Sequence, residues 1–249
     1  MTLADEYERQ ERFRDWDQAL QSLPALRGQR VLDIGCGVGT VTAQLAQGGA
    51  EVVGVDVNDA LLARARERHP GLRFERFDAA QLRPDSFGHF DGIWCSFVAA
   101  YLPDLDGFVR RIAACLRDGG WLALIEVDDL LGHTPRSPAL AAMLDAFYAQ
   151  ASAEGGYGFR AGRQLAAAAS AAGLQLVSEA ELYDRELSFA GPAPADVLDA
   201  WRARLARMAG LVRHFGARRA SVSAELLDAL AAPEHRALCR VMFVLARKP

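Results

Sequence analysis

Residues 31–40 read VLDIGCGVGT, and this stretch decides the fold class. Its apolar start, residues 31–34, predicts a buried strand. The glycines that follow predict a tight turn at which the backbone can approach a ligand closely. Residues 40–47 have the composition of a helix, and residues 51–56 form a second, Val-rich strand. The segment therefore predicts a strand–helix–strand unit whose first turn is a ligand-binding loop.

The same alternation of strands and helices continues along the chain. Further strands are predicted at residues 72–77, 90–96 and 121–127, with helical segments between them. Five strands with helical crossovers indicate an α/β fold with a doubly wound, mostly parallel sheet. Two later apolar runs, residues 174–183 and 241–245, read as two more strands.

Two long segments outside this alternation have helical periodicity. In residues 5–23 the large apolar side chains recur at roughly helical spacing, which predicts one amphipathic helix before the glycine loop. In residues 195–215 apolar residues recur every three or four positions and predict a single helix with one buried stripe.

Length, charge and cysteine usage limit the possible classes of protein. A chain of 249 residues suits one domain, and it holds no apolar run near the roughly 20 residues that cross a bilayer, so we expect a cytoplasmic protein without a membrane partner. A net charge of −4 argues against a nucleic-acid partner. The four cysteines lie far apart, which predicts free thiols and no metal site.

The glycine loop implies a nucleotide-type cofactor, and two kinds compete. A dinucleotide-binding loop would carry its third glycine at position 40, where this chain has Thr40. Asp33, directly before the loop, would repel a pyrophosphate but suits the ammonium group of a cofactor with an amino-acid tail. The sign of this charge favours S-adenosylmethionine over a nicotinamide cofactor.

Residues 31–40 also resemble the first motif of the class I S-adenosylmethionine-dependent methyltransferases. The resemblance extends over residues 31–127 and implies that Asp56 binds the ribose hydroxyls, that Asp78 and Ala79 hold the adenine, and that Ser96 lies beside the methionine part. The cofactor-binding residues expected on this basis are Asp33, Gly35, Cys36, Gly37, Asp56, Val57, Asp78, Ala79 and Ser96.

The same resemblance implies the complete architecture. The sheet should have seven strands in the order 3-2-1-4-5-7-6, with the last strand inserted antiparallel. Residues 1–249 should form a single methyltransferase domain. Within it we expect a helical lid at residues 1–28, a cofactor-binding core at 29–128, and helical acceptor-side segments at 129–173 and 184–240.

Residues that contact the methyl acceptor are harder to locate. His133 and Tyr101 are candidate catalytic residues, because His133 is the one histidine close to the expected mouth and Tyr101 follows the fourth strand. Alternatively, His133 is a solvated turn residue and Tyr101 packs on the cofactor. The acidic residues after the fifth strand would also suit a cationic amine or a divalent metal. The candidate acceptor-binding residues are Trp16, Tyr101, Glu126, Asp128, His133, Tyr157 and Arg160.

These observations predict transfer of a methyl group from S-adenosylmethionine to an oxygen, nitrogen or carbon of a small metabolite. Two alternatives remain open at this stage: a nicotinamide-dependent oxidoreductase, and a catalytically silent protein that binds the cofactor as a scaffold or sensor. The sequence specifies neither the acceptor nor the oligomeric state.

Overall fold

A computed structural model describes residues 2–249 as a seven-stranded sheet with helices on both faces. The strands are β1 (Arg30–Ile34), β2 (Glu51–Asp56), β3 (Arg73–Arg76), β4 (Phe90–Ser96), β5 (Leu116–Asp128), β6 (His133–Thr134), β7 (Gln175–Leu182), β8 (Arg236–Ala237) and β9 (Arg240–Arg247). The helices are α1 (Leu3–Glu11), α2 (Asp17–Gln21), α3 (Thr40–Gln47), α4 (Asp59–Arg68), α5 (Pro84–Phe87), α6 (Leu105–Ala114), α7 (Pro138–Ala153), α8 (Leu165–Ala171), α9 (Ala195–Arg207), α10 (Ala209–Phe215) and α11 (Arg219–Ala231).

The order of the sheet is β3-β2-β1-β4-β5-β9-β7. Strands β1 to β5 pair in parallel, and β9 pairs antiparallel with both β5 and β7. Because β7 and β9 are the predicted sixth and seventh strands, the order 3-2-1-4-5-7-6 is confirmed. The small β6 and β8 strands form a separate two-stranded ladder that the sequence did not predict.

The core lies on both faces of the sheet. Successive residues of a strand point to opposite faces, so Val31 belongs to one apolar cluster and Leu32 to the other. Trp94 and Ile93 on β4 divide in the same way, and all four side chains are completely buried. Burial on both faces explains why the strands read as continuous apolar runs.

The prediction of one helix over residues 5–23 was wrong. The chain forms α1 and α2, and the segment between them pairs with residues that follow β7. Arg14 forms an isolated antiparallel bridge with Asp184, and the backbone N–H of Arg185 donates to the carbonyl of Phe13 at 3.0 Å. This pairing joins positions about 170 residues apart, so local periodicity gave no sign of it.

The prediction of one helix over residues 195–215 was also wrong. Met208 has φ −67° and ψ 89°, which is not helical, and it separates α9 from α10. The bend lets α10 approach α7 closely, since a side-chain carbon at Gly210 would lie 3.3 Å from the Phe147 ring. None of the helices in residues 2–249 combines the length and apolar composition that a bilayer crossing requires.

Candidate functional site

A cavity of about 890 Å³ lies at the carboxyl ends of the parallel strands. This is the edge at which open α/β sheets bind ligands, and the volume is near the top of the roughly 300–1,000 Å³ range of small-molecule sites. All nine residues predicted to bind the cofactor line it. We call its two sides the strand-end wall, formed by lining residues within 33–127, and the cover wall, formed by those within 3–16 and 130–214.

The glycine loop forms the base of the strand-end wall. Gly35 and Gly37 have φ of +73° and +53°, a region that residues with side chains rarely adopt. The backbone N–H groups of Gly35 and Cys36 donate to the carbonyl of Val55 at 2.8 and 3.0 Å, which fixes the loop against β2. A side-chain carbon at Gly35 would overlap Val98. The glycine loop and the turn after β4 therefore pack so closely that position 35 has no space for a side chain.

Asp56 connects the end of β2 to the glycine loop. Its Oδ2 accepts a hydrogen bond from the backbone N–H of Gly37 at 3.0 Å, and its Oδ1 accepts one from that of Asn58 at 2.9 Å. A carboxylate oxygen has two lone pairs, so both oxygens can still accept hydroxyl donors from a ligand. The next residue, Val57, is exposed and lines the same part of the cavity.

Asp33 places a buried carboxylate at the end of β1. Its Oδ2 accepts a hydrogen bond from the Thr42 hydroxyl at 2.6 Å. Burial raises the pKa of Asp33 to about 7, because the apolar surroundings disfavour its charged form. A cation bound beside it would favour the carboxylate, so the site suits the ammonium group of S-adenosylmethionine.

The remaining cofactor candidates lie at the ends of β3 and β4. Asp78 caps a short 3₁₀ helix by accepting from the backbone N–H of Ala80 at 2.9 Å, and Ala79 beside it is buried. The hydroxyl of Ser96 accepts a hydrogen bond from Trp94 Nε1 at 3.2 Å. Together with Asp33 and Asp56, these groups offer acceptors for the amino, ribose and adenine parts of S-adenosylmethionine, and the residues present fit this cofactor.

Three of the predicted acceptor-binding residues reach the cavity: Trp16, Tyr101 and Tyr157. Trp16 packs against Phe97 with ring centroids 5.8 Å apart, and Tyr101 contacts Tyr157 with centroids 4.9 Å apart. The Tyr101 side chain lies at the rim, where 64% of its surface is exposed. The three therefore contribute aromatic surface to the cavity.

Glu126 and Asp128 do not line the cavity. Glu126 is completely buried and accepts hydrogen bonds at 2.9 Å from the backbone N–H groups of Ala100 and Val127. Asp128 is also buried and forms ion pairs with Arg163 and Arg240, each at 2.6 Å. Both carboxylates are therefore occupied within the fold, and Glu126 fixes the backbone directly before Tyr101.

His133 and Arg160 also lie outside the cavity. After β5 the chain turns at Asp129, whose φ is +59°, and enters the β6–β8 ladder, which buries the imidazole beside His235. His133 Nδ1 lies 3.1 Å from His235 Nε2, and burial lowers the pKa of His133 to about 3. Arg160 pairs with Asp145 at 2.5 Å instead of facing the cleft.

Sequence reasoning missed an ion-pair network on the cover wall. Arg14 Nη1 lies 2.5 Å from Asp184 Oδ2 and 3.4 Å from Glu186 Oε2. Arg204 donates to Glu186 Oε1 through Nη2 at 2.7 Å and Nε at 3.2 Å. Both arginines line the cavity, and both carboxylates are buried. The arginine-rich composition of residues 195–220 was visible, but nothing local distinguished Arg204 from a solvated residue.

Phe97 was missed as well, although it lies between two predicted site residues. Its φ is +56°, and such a conformation in a non-glycine residue costs of order 1–3 kcal/mol. Its ring lies under the guanidinium of Arg14, with 4.8 Å between the ring centroid and Cζ. The unusual backbone thus directs an aromatic side chain into the cavity at the end of β4.

Comparison with known proteins agrees with this geometry. A family model described as a methyltransferase domain matches residues 7–179. Trans-aconitate 2-methyltransferase of Methylobacterium radiotolerans is 34% identical over 233 residues, which are 91% of this chain and 80% of that protein. The match to ubiquinone biosynthesis O-methyltransferase of Bordetella avium is 33% identical but covers 43% of this chain and 46% of the relative. The chain spans about half the length of most curated relatives that it matches.

The fold is that of a class I methyltransferase. An S-adenosylmethionine-dependent methyltransferase structure from Mesorhizobium loti superposes with a TM-score of 0.55 at 20% identity, covering 94% of this chain and 97% of that one. At this identity the likeness concerns the fold alone. The chain belongs to the methyltransferase-domain family, whose cofactor is S-adenosylmethionine, and the nicotinamide alternative is not favoured.

Proposed function

We propose that this chain transfers the methyl group of S-adenosylmethionine to a small metabolite bound in the same cavity. The observation that carries the proposal is the continuity of the cavity: one space of about 890 Å³ joins the three strand-end aspartates to a chamber bordered by aromatic and arginine side chains. S-adenosylmethionine supplies a methyl group on a positively charged sulfur that leaves as a neutral thioether.

The proposed cofactor contacts follow the strand ends. Asp33 pairs with the ammonium group, the Asp56 oxygens accept the ribose hydroxyls, and Asp78 and Ala79 receive the adenine edge. The glycine loop brings its backbone next to the methionine part, with Ser96 on the other side. These assignments rest on the lining of the cavity and on the acceptor groups left available there.

The chain contributes to the reaction mainly by positioning and by excluding water. Aligning a nucleophile with an activated methyl group can supply most of the acceleration. Helix α1 covers the glycine loop, because Ala4 and Tyr7 pack with Val38 and Leu61. We therefore propose residues 1–28 as a lid, and Trp16, Tyr101 and Tyr157 as acceptor contacts. The relative named as an O-methyltransferase supports oxygen as the methylated atom.

Two measurements test this function. Calorimetry should show that the chain binds S-adenosylmethionine and S-adenosylhomocysteine, and an absence of binding at millimolar ligand would overturn the proposal. Incubation with methyl-labelled cofactor and a panel of small metabolites should then transfer the label to an acceptor. Binding without transfer across a broad panel would favour the scaffold or sensor alternative.

We also propose that the protein works in the cytoplasm and binds neither nucleic acid nor membrane. The four cysteines, Cys36, Cys95, Cys115 and Cys239, are all free and buried, which suits a reducing compartment. Fractionation of cells that express the tagged chain would test this location, and recovery outside the cytoplasmic fraction would contradict it.

A further inference from the structure

The charged side chains that line the two walls of the cavity are mostly of opposite sign. The charged lining residues of the strand-end wall are Asp33, Asp56 and Asp78. Those of the cover wall include four arginines against Glu11 and Glu154, namely Arg14, Arg204, Arg207 and Arg213. The acidic wall matches a cationic cofactor. Arg14 and Arg204 are paired with the buried Asp184 and Glu186, and Arg207 is paired with Glu6, so Arg213 carries the uncompensated positive charge of this wall within residues 2–249. Guanidinium groups that face the cavity would attract an anion, because opposite charges favour each other strongly in a partly enclosed site.

Arg14 and Arg204 are held in fixed orientations. Asp184 and Glu186 lie behind them, buried, and fix one edge of each guanidinium group through the ion pairs described above. Although burial opposes its charge, the pairing with Glu186 keeps the pKa of Arg204 raised, so it stays a cation. A guanidinium group has five N–H donors. Nη1 of Arg204, and Nε and Nη2 of Arg14, have no hydrogen-bond partner within residues 2–249.

Two phenol hydroxyls add neutral donors to the same cavity. Tyr7 and Tyr157 both line it, and neither hydroxyl is hydrogen-bonded within residues 2–249. Burial raises the pKa of Tyr7 to about 12 and also raises that of Tyr157, so both groups keep their protons. A protonated phenol beside a guanidinium suits an oxyanion, which accepts hydrogen bonds from both.

Much of the rest of the cover wall is apolar, with Gln10, Gln150 and His214 as its polar residues. Phe147, Phe159, Leu130, Leu187 and Met208 line it, and Phe97 faces it from the end of β4. Such a surface favours a ligand with a hydrocarbon body, because removing apolar area from water is stabilising. A polar metabolite without an apolar body would leave this part of the wall unfilled.

From this combination we propose that the methyl acceptor is a small carboxylate with an apolar body, anchored by Arg204 and Arg14 and steered inward by Arg213. This inference rests on the proposed function. An ionised carboxylate oxygen forms the new bond to the methyl carbon while the carbon–sulfur electron pair remains on sulfur. The product is a neutral methyl ester, and no proton has to be removed, so a general base is not required.

Arg213 provides a variant that should fold. It is exposed, lines the cavity and has no ion-pair partner within residues 2–249. Arg204→Gln alone would leave the buried Glu186 short of a partner and destabilise the fold, so the double variant Arg204→Gln/Glu186→Gln removes both charges together. Arg202→Gln is the matched control. Arg202 lies on α9 like Arg204, but it pairs with Asp199 and does not line the cavity.

The experiment measures binding of acid and amide pairs to the full chain saturated with S-adenosylhomocysteine. The probes are benzoate, phenylacetate and trans-cinnamate, each compared by calorimetry with its neutral amide. We expect at least one acid to bind tenfold or more tightly than its amide. Arg213→Gln and the double variant should each lower that preference severalfold, and Arg202→Gln should leave it unchanged.

The results separate the two proposals. If S-adenosylhomocysteine itself does not bind, the proposed function fails and this inference fails with it. If S-adenosylhomocysteine binds but no acid in the panel is preferred over its amide, or if Arg213→Gln and the folded double variant keep the full preference, the carboxylate site alone is overturned.

Discussion

The strand-end wall and the cover wall enclose one cavity but are built in different ways. The strand-end wall comes from a continuous stretch of about 95 residues, 33–127, in which most contributors lie at the end of a strand or in the turn and first helical residues that follow it. The cover wall combines the N-terminal segment with residues of α7, α9 and α10. Buried ion pairs through Asp184 and Glu186 join the N-terminal segment to α9. Local motifs are therefore enough to build the strand-end wall, whereas the cover wall depends on contacts between segments that are distant in sequence.

The largest expected effect is on the cover wall. Glu186→Ala should lower the free energy of unfolding by about 3–5 kcal/mol, because Arg14 and Arg204 would both lose a buried partner. Urea unfolding measures this. Asp199→Ala, at an exposed ion pair with Arg202, is the control and should cost less than about 1 kcal/mol. Equal losses in the free energy of unfolding from the two changes would show that the buried ion pairs of Glu186 do not stabilise the cover wall.

The next effect is on the strand-end wall. Asp56→Ala should weaken binding of S-adenosylhomocysteine by about 1.5–3 kcal/mol, or about 10- to 150-fold, since it removes charged acceptors and frees the Gly37 N–H group. Calorimetry gives the dissociation constants. Asp59→Ala, at a neighbouring exposed carboxylate, serves as the control. An unchanged affinity in Asp56→Ala would show that the ribose of the ligand binds elsewhere.

The contacts that these two variants remove differ in whether the sequence could predict them. The glycine loop and the alternation of strands and helices followed from short patterns, because the end of each strand and the turn after it are encoded together. The strand order and the nine cofactor candidates followed from the resemblance to class I methyltransferases that these patterns carry. The bond between Asp56 and Gly37 joins residues 19 positions apart, whereas the one between Arg14 and Asp184 joins residues 170 apart. No periodicity within a helix can report the second kind of contact.

The affinity for S-adenosylhomocysteine should depend on pH through Asp33 on the strand-end wall. The pKa of Asp33 is raised to about 7, so its carboxylate is mostly protonated at pH 6. Binding of the cationic ammonium group needs the ionised form, and affinity for S-adenosylhomocysteine should rise about five- to tenfold between pH 6 and 7.5. Asp33→Asn should bind weakly at both values. A wild-type affinity independent of pH would contradict a cation site at Asp33.

The same shift has a consequence for stability with a definite sign. Between about pH 4 and 7 the folded chain keeps a proton on Asp33 that the unfolded chain releases, so the free energy of unfolding should fall as pH rises. Glu126, whose pKa is also raised to about 7, contributes in the same direction. Asp33→Asn should remove only the first contribution, and urea unfolding at several pH values would detect the difference.

The smallest effect is expected at His133. Because its imidazole is buried against His235 and Trp201 and does not line the cavity, His133→Asn should change the dissociation constant of S-adenosylhomocysteine by less than about twofold. Any loss should appear in thermal stability instead. A large loss of cofactor affinity without loss of stability would place His133 closer to the cavity than the β6–β8 ladder allows. The sequence placed it at the mouth because it follows β5 closely, but the turn at Asp129 carries the chain away.

The position of β9 has a consequence for how the protein is made. Among the strands of this sheet β9 follows all the others in chain order, yet its hydrogen bonds lie between β5 and β7, in the interior of the sheet. During synthesis the ribosome releases the glycine loop and the first five strands early, while β7 has no sheet neighbour until residues 240–247 emerge. A chain that stops before residue 240 would therefore keep an unpaired edge on β5 and a β7 without its sheet neighbour, and an unpaired strand edge favours association with other chains.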